Sequence, residues 1–511
     1  MTAVRGRSGV LLVAGTASDA GKSVVVAGIC RHLARQGLKV APFKAQNMAL
    51  NSAVTADGAE IGRAQVAQAA AAGAAPEAAM NPILLKPAGE RVSQVVVMGQ
   101  PFATVDARSY QDLKPQLRGV VLEALADLRR RYDVVICEGA GSPAEINLRA
   151  NDLVNLGLAR AAGLPVVVVG DIDRGGVFAS LFGTLALLDA DDQALVAGFL
   201  INKFRGDHTV LAPGLEQLRA LTGRPVLGVL PWRRGLWLDV EDSLALEAPR
   251  DGILPPLGAD SLVVAVARLR WLSNFTDFDA LAAEPGVVVR FTQSPAELLS
   301  ADLAVLPGSK ATAEDLAWLR ARGLDKAITT RARRGLPTLG ICGGYQMLGG
   351  RITDRDGIES SASDLAGLGM LPVETEFAAS KTLTNPTGTA PAFGGVPAAG
   401  YEIHHGRSRR LGGEPVLASS SGDEGCRQGA VVGLAWHGIF EGDAFRRSFL
   451  TWVAAERGLD WMPGERPFAA VRAERLDALG DLIAHHTDTA ALDHLIHHGA
   501  PDGLPFIGAV R

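Results

Sequence analysis

The sequence predicts an α/β protein with a doubly wound parallel sheet in its first half and a separate α/β domain in its second. Short, mostly apolar runs alternate with alanine- and leucine-rich amphipathic stretches, a pattern typical of buried parallel strands connected by helices. A Pro- and Gly-rich stretch at Pro249–Gly258 interrupts this alternation, which then restarts. Several apolar runs are followed at once by Gly, Asn or an acidic residue, as strands that end in functional loops are.

In the first half, the predicted strands are Val10–Ala14, Leu38–Pro42, Val134–Cys137, Pro165–Val169, Ala197–Ile201 and Pro225–Leu230. In the second half they are Leu262–Arg268, Val287–Phe291, Leu303–Pro307, Thr338–Cys342, Gly367–Phe377 and Val431–His437. The stretch Ser380–Gly400 is rich in Thr, Pro, Ala and Gly and is interpreted as loop. The expected division is a domain at 1–248, a second domain at 249–457 and a helical C-terminal extension at 458–511.

The composition narrows the class of protein. With 511 residues, 48% hydrophobic and 21% charged, the chain is long and apolar enough for two or three domains with proper cores. A net charge of −5 gives no basic field of the kind that a dedicated nucleic-acid binder needs. The 4 cysteines lie far apart without a CxxC pair, and no long apolar run is present. We therefore expect a cytoplasmic protein that binds neither nucleic acid nor membrane.

A glycine-rich run, GTASDAGKS, follows the first predicted strand and opens a helix. This order is typical of a P-loop, whose backbone N–H groups cradle phosphate. Gly15, Thr16 and Gly21 are expected to shape the cradle. Lys22 is expected to reach the β and γ phosphates of ATP, and Ser23 to bind the accompanying Mg²⁺. The loop is one residue longer than the usual spacing, and a glycine turn with a solvated lysine is the alternative.

Polar residues at later strand ends are predicted to face this loop. Glu138 ends the run RYDVVICE and is a candidate Mg²⁺ ligand, with a helix N-cap or a structural carboxylate as the alternative. Asn202 ends a further strand, where side chains that contact the nucleobase commonly lie, although Asn also forms turns. Asp171 and Asp173 are candidates for metal or substrate contact, and an ordinary Asp-Gly turn is nearly as good an interpretation.

The segment PFKAQNMALNS follows the second predicted strand and is rich in polar side chains. Because it lies beside the P-loop in a doubly wound sheet, Lys44, Gln46 and Asn47 are candidate substrate contacts. Asp57, a few positions further on, is a third candidate metal ligand. A polar surface loop is the alternative interpretation of the whole segment.

The second half contains the run GICGG, which follows an apolar strand and precedes a helix. Small neighbours around Cys342 permit the strained turn of a nucleophile elbow, and a helix N-terminus stabilises a thiolate. The alternative is a buried cysteine that acts as a small hydrophobe. His437 ends a later strand and is the expected base that activates Cys342. The N–H groups of Gly308 and Gly343 are predicted to form an oxyanion hole.

The C-terminal tail is rich in histidine, at His485, His486, His494, His497 and His498. No cysteine or acidic cluster accompanies them at tight ligand spacing, so solvated helix faces are the favoured interpretation and no role is assigned.

The chain resembles the cobyric acid synthase family in a set of runs whose order is preserved. These runs are GTASDAGKS, PFKAQNM, CEGAGSPAEINL, DIDRGGVFAS, INKFRGD, LPGSK, GICGGYQMLG, YEIHHGR and WHGIF. The match extends from about Gly9 to Phe445. The P-loop variant alone is similar to the dethiobiotin synthetase group in general, whereas PFKAQNM and INKFRGD are more specific.

The resemblance implies a dethiobiotin synthetase-like P-loop domain fused to a class I, triad-type glutamine amidotransferase. It implies ATP- and glutamine-dependent amidation of the b, d, e and g carboxylates of adenosylcobyrinic acid a,c-diamide through acyl phosphates, with Mg²⁺ and no tightly bound organic cofactor. Cys342 then corresponds to the nucleophile and His437 to its base. Many such triads carry an acid two residues after the histidine, where this chain has Ile439. The nearest acid is Glu441, and the third member of the triad stays open.

Other functions fit parts of the same pattern. Cobyrinic acid a,c-diamide synthase has the same two domains and acts on different carboxylates, and another ATP-dependent glutamine amidotransferase would be indifferent to corrinoids. A P-loop switch protein with a retired glutaminase domain is the non-enzyme alternative. The intact Cys342 elbow and His437 argue against that alternative.

Overall fold

A computed structural model describes residues 8–89, 92–233, 235–236, 254–360 and 363–508. Residues 249–253 of the predicted linker lie outside the described residues. In the first half the strands are β1 Gly9–Gly15, β2 Val40–Phe43, β3 Gln46–Met48, β4 Ser52–Val54, β5 Glu60–Gly62, β6 Ile83–Pro87, β7 Val92–Val97, β8 Gln100–Asp106, β9 Val134–Glu138, β10 Val166–Asp171, β11 Val196–Phe204 and β12 Val226–Pro231. The helices are α1 Lys22–Arg35, α2 Arg63–Ala72, α3 Ala107–Arg131, α4 Leu156–Ala162, α5 Val177–Ala186, α6 Ala190–Gln193 and α7 His208–Thr222.

In the second half the strands are β13 Leu262–Ala267, β14 Leu272–Ser273, β15 Val287–Thr292, β16 Leu303–Leu306, β17 Gly308–Ser309, β18 Thr338–Ile341, β19 Arg351–Thr353, β20 Asp364–Ala366, β21 Val373–Thr384, β22 Thr387–Ala390, β23 Val396–Ala399, β24 Glu402–Arg410, β25 Leu417–Ser419, β26 Gly422–Glu424, β27 Cys426–Gln428 and β28 Val431–Leu434. The helices are α8 Asp279–Ala282, α9 Pro295–Ser300, α10 Thr312–Ala321, α11 Leu324–Arg333, α12 Gly343–Leu348, α13 Asp443–Arg457, α14 Phe468–His486 and α15 Thr489–His498.

Each half is organised around a six-stranded sheet. The first has the order β12-β11-β10-β1-β9-β2, and all its neighbouring strands are parallel. The second has the order β15-β13-β16-β18-β28-β27, in which only β27 runs antiparallel to its neighbour. Val, Leu and Ile on both faces of these strands are buried under helices, as in doubly wound sheets. The predicted α/β class is confirmed.

The prediction was wrong about Ser380–Gly400, which is not a loop. Strand β21 continues to Thr384, and β22 and β23 form a hairpin that joins β25 and β26 in a four-stranded sheet. Threonines and alternating small residues suit these partly exposed strands, so cross-strand pairing overrides the Pro- and Gly-rich composition. The strands from β3 to β8, which lie outside the main sheet, were likewise not predicted; β3, β6, β7 and β8 form a sheet of their own.

The C-terminal helices pack back onto the first half. Leu479 and Ile483 of α14 are buried against Val25 and Ile29 of α1 in one apolar cluster. Gly28 permits this close approach, because a Cβ there would lie 2.8 Å from the Leu479 carbonyl oxygen. The first sheet is therefore covered on one face partly by residues from the end of the chain.

A β-hairpin from the first half docks on the second half. Ala53 and Val54 of β4 pack against Tyr401 and Ile403 at the start of β24. Polar contacts flank this patch, including a hydrogen bond of 2.9 Å from Asn385 Nδ2 to the Thr55 carbonyl oxygen. Within the described ranges, none of the helices is long and apolar enough to cross a membrane.

Candidate active sites

The first candidate site lies at the carboxyl end of β1. The predicted P-loop connects β1 to α1, and Gly21 at the N-cap of α1 has φ 97°, a left-handed conformation that favours glycine. Lys22 Nζ donates hydrogen bonds to the carbonyl oxygens of Ala17 at 2.8 Å and Gly141 at 3.1 Å. The lysine ammonium is thus folded back over the loop, at the position where phosphate oxygens bind in P-loops. The backbone N–H of Thr16 donates to the Val169 carbonyl oxygen of β10 at 2.9 Å, so this N–H group is already bonded to the neighbouring strand.

Ser23 and Glu138, two of the predicted metal ligands, are brought together. The Ser23 hydroxyl donates to Glu138 Oε1 at 2.9 Å, and the carboxylate is buried. Lys44 Nζ donates to the same oxygen at 2.9 Å, and Gln68 Nε2 donates to Oε2 at 2.5 Å. Burial alone raises the pKa of Glu138, but Lys44 and these donors more than offset it, so the pKa is lowered and the group is a carboxylate.

The third predicted metal ligand, Asp57, is not brought to this pair. It is exposed in the turn between β4 and β5, where it accepts a hydrogen bond from the Thr55 hydroxyl. That turn points towards β21 of the second half, since a Cβ on Gly58 would lie 3.7 Å from the Leu383 carbonyl oxygen. Among the residues that the structure describes, no group of three or more His, Cys, Asp and Glu side chains is arranged to hold a metal.

The predicted nucleobase and substrate residues make hydrogen bonds to different parts of the first half. Asn202 Nδ2 donates to the Ala20 carbonyl oxygen at 3.0 Å, so this amide braces the P-loop from β11. Gln46 and Asn47 lie on β3 and point to different helices. Gln46 accepts a hydrogen bond of 2.5 Å from the Tyr110 hydroxyl of α3, and Asn47 donates to Gln65 of α2 at 3.0 Å. Their alternation along a strand explains the divergence.

The two aspartates after β10 are paired with basic residues of the following strand end. Asp171 accepts from Lys203 Nζ at 2.8 Å, and Asp173 lies 2.9 Å from the guanidinium of Arg205. These contacts connect the ends of β10 and β11 beside the P-loop.

The second candidate site is centred on Cys342. This residue has φ 50° and ψ −109°, a strained conformation between β18 and α12 that exposes the side chain to a pocket. Side chains are excluded around it, because a Cβ on Gly344 would collide with the Leu306 carbonyl oxygen, and one on Gly340 would lie 2.6 Å from Leu348. The sequence therefore folds locally into the predicted nucleophile elbow.

His437 lies beside Cys342 and is held by an acid from elsewhere in the chain. Its Nδ1 is 2.7 Å from Oδ2 of Asp277, whose Oδ1 accepts from the Gly438 N–H at 2.7 Å. The ring also stacks on Tyr401, with ring centroids 5.5 Å apart. Burial lowers the pKa of His437, but Asp277 and Cys342 more than offset it and raise the pKa to about 10. Cys342, His437 and Asp277 are thus arranged as the members of a Cys-His-Asp triad would be, and the raised pKa of His437 favours its protonated form.

Asp277 was not predicted from the sequence, because the third member of such triads is expected close after the histidine. It lies in a 3-10 turn, Phe275–Phe278, 160 residues before the histidine, so no spacing pattern connects the two. Glu441 instead forms ion pairs with Arg63 and Arg472. One signal was present: Asp277 follows β13 and β14 at the same carboxyl edge as Cys342 and His437.

Gly308 and Gly343, the predicted oxyanion-hole residues, both lie next to the triad. A Cβ on Gly308 would be 2.8 Å from His437 Cε1, and one on Gly343 would be 2.8 Å from the Ser309 backbone nitrogen. Strand β17 pairs with β14, which fixes this segment against the turn that carries Asp277. Backbone N–H groups at a helix N-terminus and an adjacent short strand suit a developing oxyanion.

The pocket that contains Cys342 and His437 is completed by the first half of the chain. Lys86 of β6 lines it together with Lys310, Lys381 and Glu359. Lys86 Nζ and Lys381 Nζ each lie 2.5 Å from the carboxylate of Glu60, which is fully buried. The first half thus contributes Lys86 of β6 to the wall of the Cys342 pocket, and Glu60 of β5 holds that lysine in place.

Comparison with known proteins assigns each half to a domain family. Residues 11–244 match the model of the CobQ/CobB/MinD/ParA nucleotide binding domain, and residues 263–445 match that of the CobB/CobQ-like glutamine amidotransferase domain. Together, fold and site define a glutamine amidotransferase fused to a P-loop nucleotide-binding domain.

Full-length relatives give the family. A cobyric acid synthase of Frankia casuarinae is 59% identical over 520 residues, covering 98% of this chain and 99% of that protein. Those of Streptomyces coelicolor and Rhodococcus jostii are 59% and 58% identical over 506 residues, each covering 98% of this chain and 99% and 98% of the relative. The chain belongs to the cobyric acid synthase family.

Proposed function

We propose that this chain uses ATP and glutamine to amidate the b, d, e and g carboxylates of adenosylcobyrinic acid a,c-diamide, giving adenosylcobyric acid in the cytoplasm. The observation that carries the proposal is that Lys86 of the P-loop half forms part of the wall of the Cys342 pocket, so both halves contribute to the site at which ammonia would be released. The names of the near full-length relatives support the corrinoid substrate. Four free, buried cysteines fit a reducing compartment.

In the glutaminase half, the Cys342 sulfur attacks the carboxamide carbon of glutamine, and backbone N–H groups at Gly308 and Gly343 stabilise the oxyanion. The His437 imidazolium donates its proton to the departing nitrogen, so the C–N bond breaks, ammonia leaves and a thioester forms. Water then attacks the thioester while His437 accepts its proton. Glutamate leaves, and the Cys342 thiolate and the His437 imidazolium with which the cycle began are restored. Asp277 keeps the ring oriented throughout.

In the P-loop half, a substrate carboxylate oxygen attacks the γ-phosphorus of ATP, and ADP leaves an acyl phosphate behind. Ammonia attacks the acyl carbon, loses a proton and displaces phosphate. Lys22 lies where it can neutralise phosphate oxygens once they replace the carbonyls of Ala17 and Gly141. The adjacent hydroxyl of Ser23 and carboxylate of Glu138 are hard oxygen donors that fit Mg²⁺, which when bound reduces the charge on the phosphates.

The boundaries 1–248, 249–457 and 458–511 are part of the same proposal. They are supported by the two separate six-stranded sheets and by the helical character of α14 and α15. Lys44, Gln46 and Asn47 remain proposed substrate contacts, and Gly15, Thr16, Gly21 and Asn202 proposed nucleotide contacts. Asn202 is supported by its hydrogen bond to the Ala20 carbonyl oxygen and Lys44 by its hydrogen bond to Glu138, whereas Gln46 and Asn47 are supported by the resemblance of the run PFKAQNM to the family.

Mass spectrometry of adenosylcobyrinic acid a,c-diamide, incubated with the protein, Mg-ATP and glutamine, tests the function. Each OH-to-NH₂ exchange lowers the mass by about one unit, and four successive losses that require ATP are expected. Cys342→Ala is expected to abolish glutamine-dependent amidation while ammonium salts still support it. Hydrolysis of ATP and glutamine without any mass change would remove the corrinoid assignment. Amidation of a cobyrinic acid at the a and c positions instead would favour the diamide synthase.

A further inference from the structure

The pocket beside Cys342 contains a second set of charges that the triad does not use. Lys310 directly follows Gly308–Ser309, and its backbone N–H donates to the Trp271 carbonyl oxygen at 3.0 Å, which extends the pairing of β14 and β17. Its side chain lines the pocket, and it makes no hydrogen bond or ion pair with any residue that the structure describes. A cation held at a pocket wall without a partner is suited to an anionic ligand group.

Glu359 lines the same pocket and supplies the opposite charge. The buried carboxylate of Asp354 holds it in place by accepting the backbone N–H groups of Ile358, Glu359 and Ser360, each at 2.8 Å. The Glu359 carboxylate is 3.4 Å from the Thr312 hydroxyl. This loop is therefore anchored by interactions that leave the glutamate side chain at the pocket.

Lys310 and Glu359 influence each other without forming an ion pair. Burial lowers the pKa of Lys310, and the charge of Glu359 partly opposes this shift. Burial raises the pKa of Glu359, and the charge of Lys310 opposes it in turn. Both side chains line the same pocket, so they present opposite charges to one ligand without neutralising each other in an ion pair.

We propose that Lys310 and Glu359 form the subsite for the amino-acid end of glutamine, with Lys310 binding the α-carboxylate and Glu359 the α-ammonium. The inference rests on the proposed glutaminase function and adds its specificity. With the carboxamide at Cys342, the zwitterionic end of the ligand must lie within the same pocket, and these are its two oppositely charged residues without an ion-pair partner among the described residues. Lys86 and Lys381, in contrast, share Glu60.

Two analogues separate the contributions. 4-Aminobutanamide keeps the ammonium and lacks the carboxylate, whereas glutaramic acid keeps the carboxylate and lacks the ammonium. We expect Lys310→Gln to raise the KM for glutamine and the Ki of glutaramic acid by about 10- to 100-fold. The Ki of 4-aminobutanamide is expected to stay unchanged. Glu359→Gln is expected to raise the KM for glutamine and the Ki of 4-aminobutanamide by about the same 10- to 100-fold and to leave the Ki of glutaramic acid unchanged.

Glutamate release is the assay, with the analogues as competitive inhibitors, and Lys326→Gln on an exposed face of α11 is the matched control. Ammonia-dependent amidation by the same variants reports on folding and is expected to be unchanged. Equal effects of both variants on both analogues, or no effect at all, would overturn the subsite. Failure of the proposed function is seen separately, as wild-type protein that releases no glutamate or as Cys342→Ala that still does.

Discussion

At the scale of single residues, the proposed mechanism depends on the contact between Asp277 and His437. A neutral, unoriented imidazole is a weak proton donor, whereas His437 is fixed at Nδ1 by a carboxylate and carries a pKa raised to about 10. The same carboxylate also accepts the Gly438 N–H, so its position is set by the strand end that carries the histidine. A catalytic base and its orienter are thereby locked as one unit.

Asp277→Asn is therefore expected to lower glutamine-dependent turnover by about 100-fold or more, because the amide cannot stabilise the imidazolium. Ammonia-dependent amidation is expected to stay near wild type. Glu441→Gln is the informative control, since Glu441 is the nearest acid in sequence but pairs with Arg63 and Arg472. A large loss in Glu441→Gln together with an active Asp277→Asn would contradict this assignment.

The pH profile gives a second readout of the same variant. The His437 imidazolium donates a proton to the leaving nitrogen, so activity is lost as pH rises through the pKa of the ring, which is about 10 in the native site. Removing the Asp277 charge takes away a contribution that raises this pKa. The alkaline limb of kcat/KM for glutamine is therefore expected to move to lower pH in Asp277→Asn, and an unmoved limb would speak against the triad.

At the scale of elements, the main parallel strands and the loops that follow them could be predicted from sequence, because local residue patterns indicate where a strand ends. The elbow around Cys342 and the P-loop around Lys22 each lie within one strand, loop and helix, so the glycine pattern alone locates them. Asp277 could not be found in this way, because its partner lies 160 residues away and only the shared sheet edge brings the two together. The hairpin β4–β5 was missed for a similar reason. Its short strands are buried by contacts with the other half rather than by a local pattern.

This hairpin contacts the turn that carries Asp277. The Ser52 N–H donates to Asn274 Oδ1 at 3.0 Å, and Asn51 Oδ1 accepts from the Phe275 N–H at 3.2 Å. Asn274 has φ 52°, a left-handed conformation that Asn tolerates better than most residues, and its carbonyl oxygen accepts from the Asp277 N–H at 3.0 Å. The P-loop half thus helps to hold the orienting acid of the glutaminase half.

Asn274→Gly and Asn274→Ala separate these two properties. The glycine variant keeps the backbone conformation and loses the side chain that accepts from Ser52 and lines the pocket, so glutaminase kcat/KM is expected to fall by about 3- to 10-fold. The alanine variant adds about 1–2 kcal/mol of left-handed strain and is expected to be worse and to melt at a lower temperature. Wild-type glutamate release by both variants would mean that the hairpin does not support the triad.

At the scale of the whole molecule, the two halves are connected by more than the linker. Helix α14 begins with Phe468 in the core of the second half and ends with Leu479 and Ile483 against α1 of the first. Arg472 of the same helix pairs with Glu441, which also pairs with Arg63. The C-terminal extension therefore contacts both halves and helps to hold them together.

A second contact between the halves is centred on the buried carboxylate of Glu60, which pairs with Lys86 of the first half and Lys381 of the second. Burial alone would raise its pKa, but Lys381 and Lys86 together lower it, so the carboxylate stays charged between a lysine of each half.

Lys381→Met removes the cation from the glutaminase side while keeping apolar bulk, and leaves Glu60 with Lys86 alone. We expect glutamine hydrolysis to continue while the amide formed per glutamate released falls several-fold, because ammonia escapes through a loosened contact. Arg407→Met, on an exposed part of β24, is the control. The measurement is turnover of ¹⁵N-amide glutamine in excess unlabelled ammonium, with the label counted in product and in bulk solvent. If Lys381→Met transferred the label to product as efficiently as wild type, the Glu60 contact would not guard the transfer of ammonia between the sites.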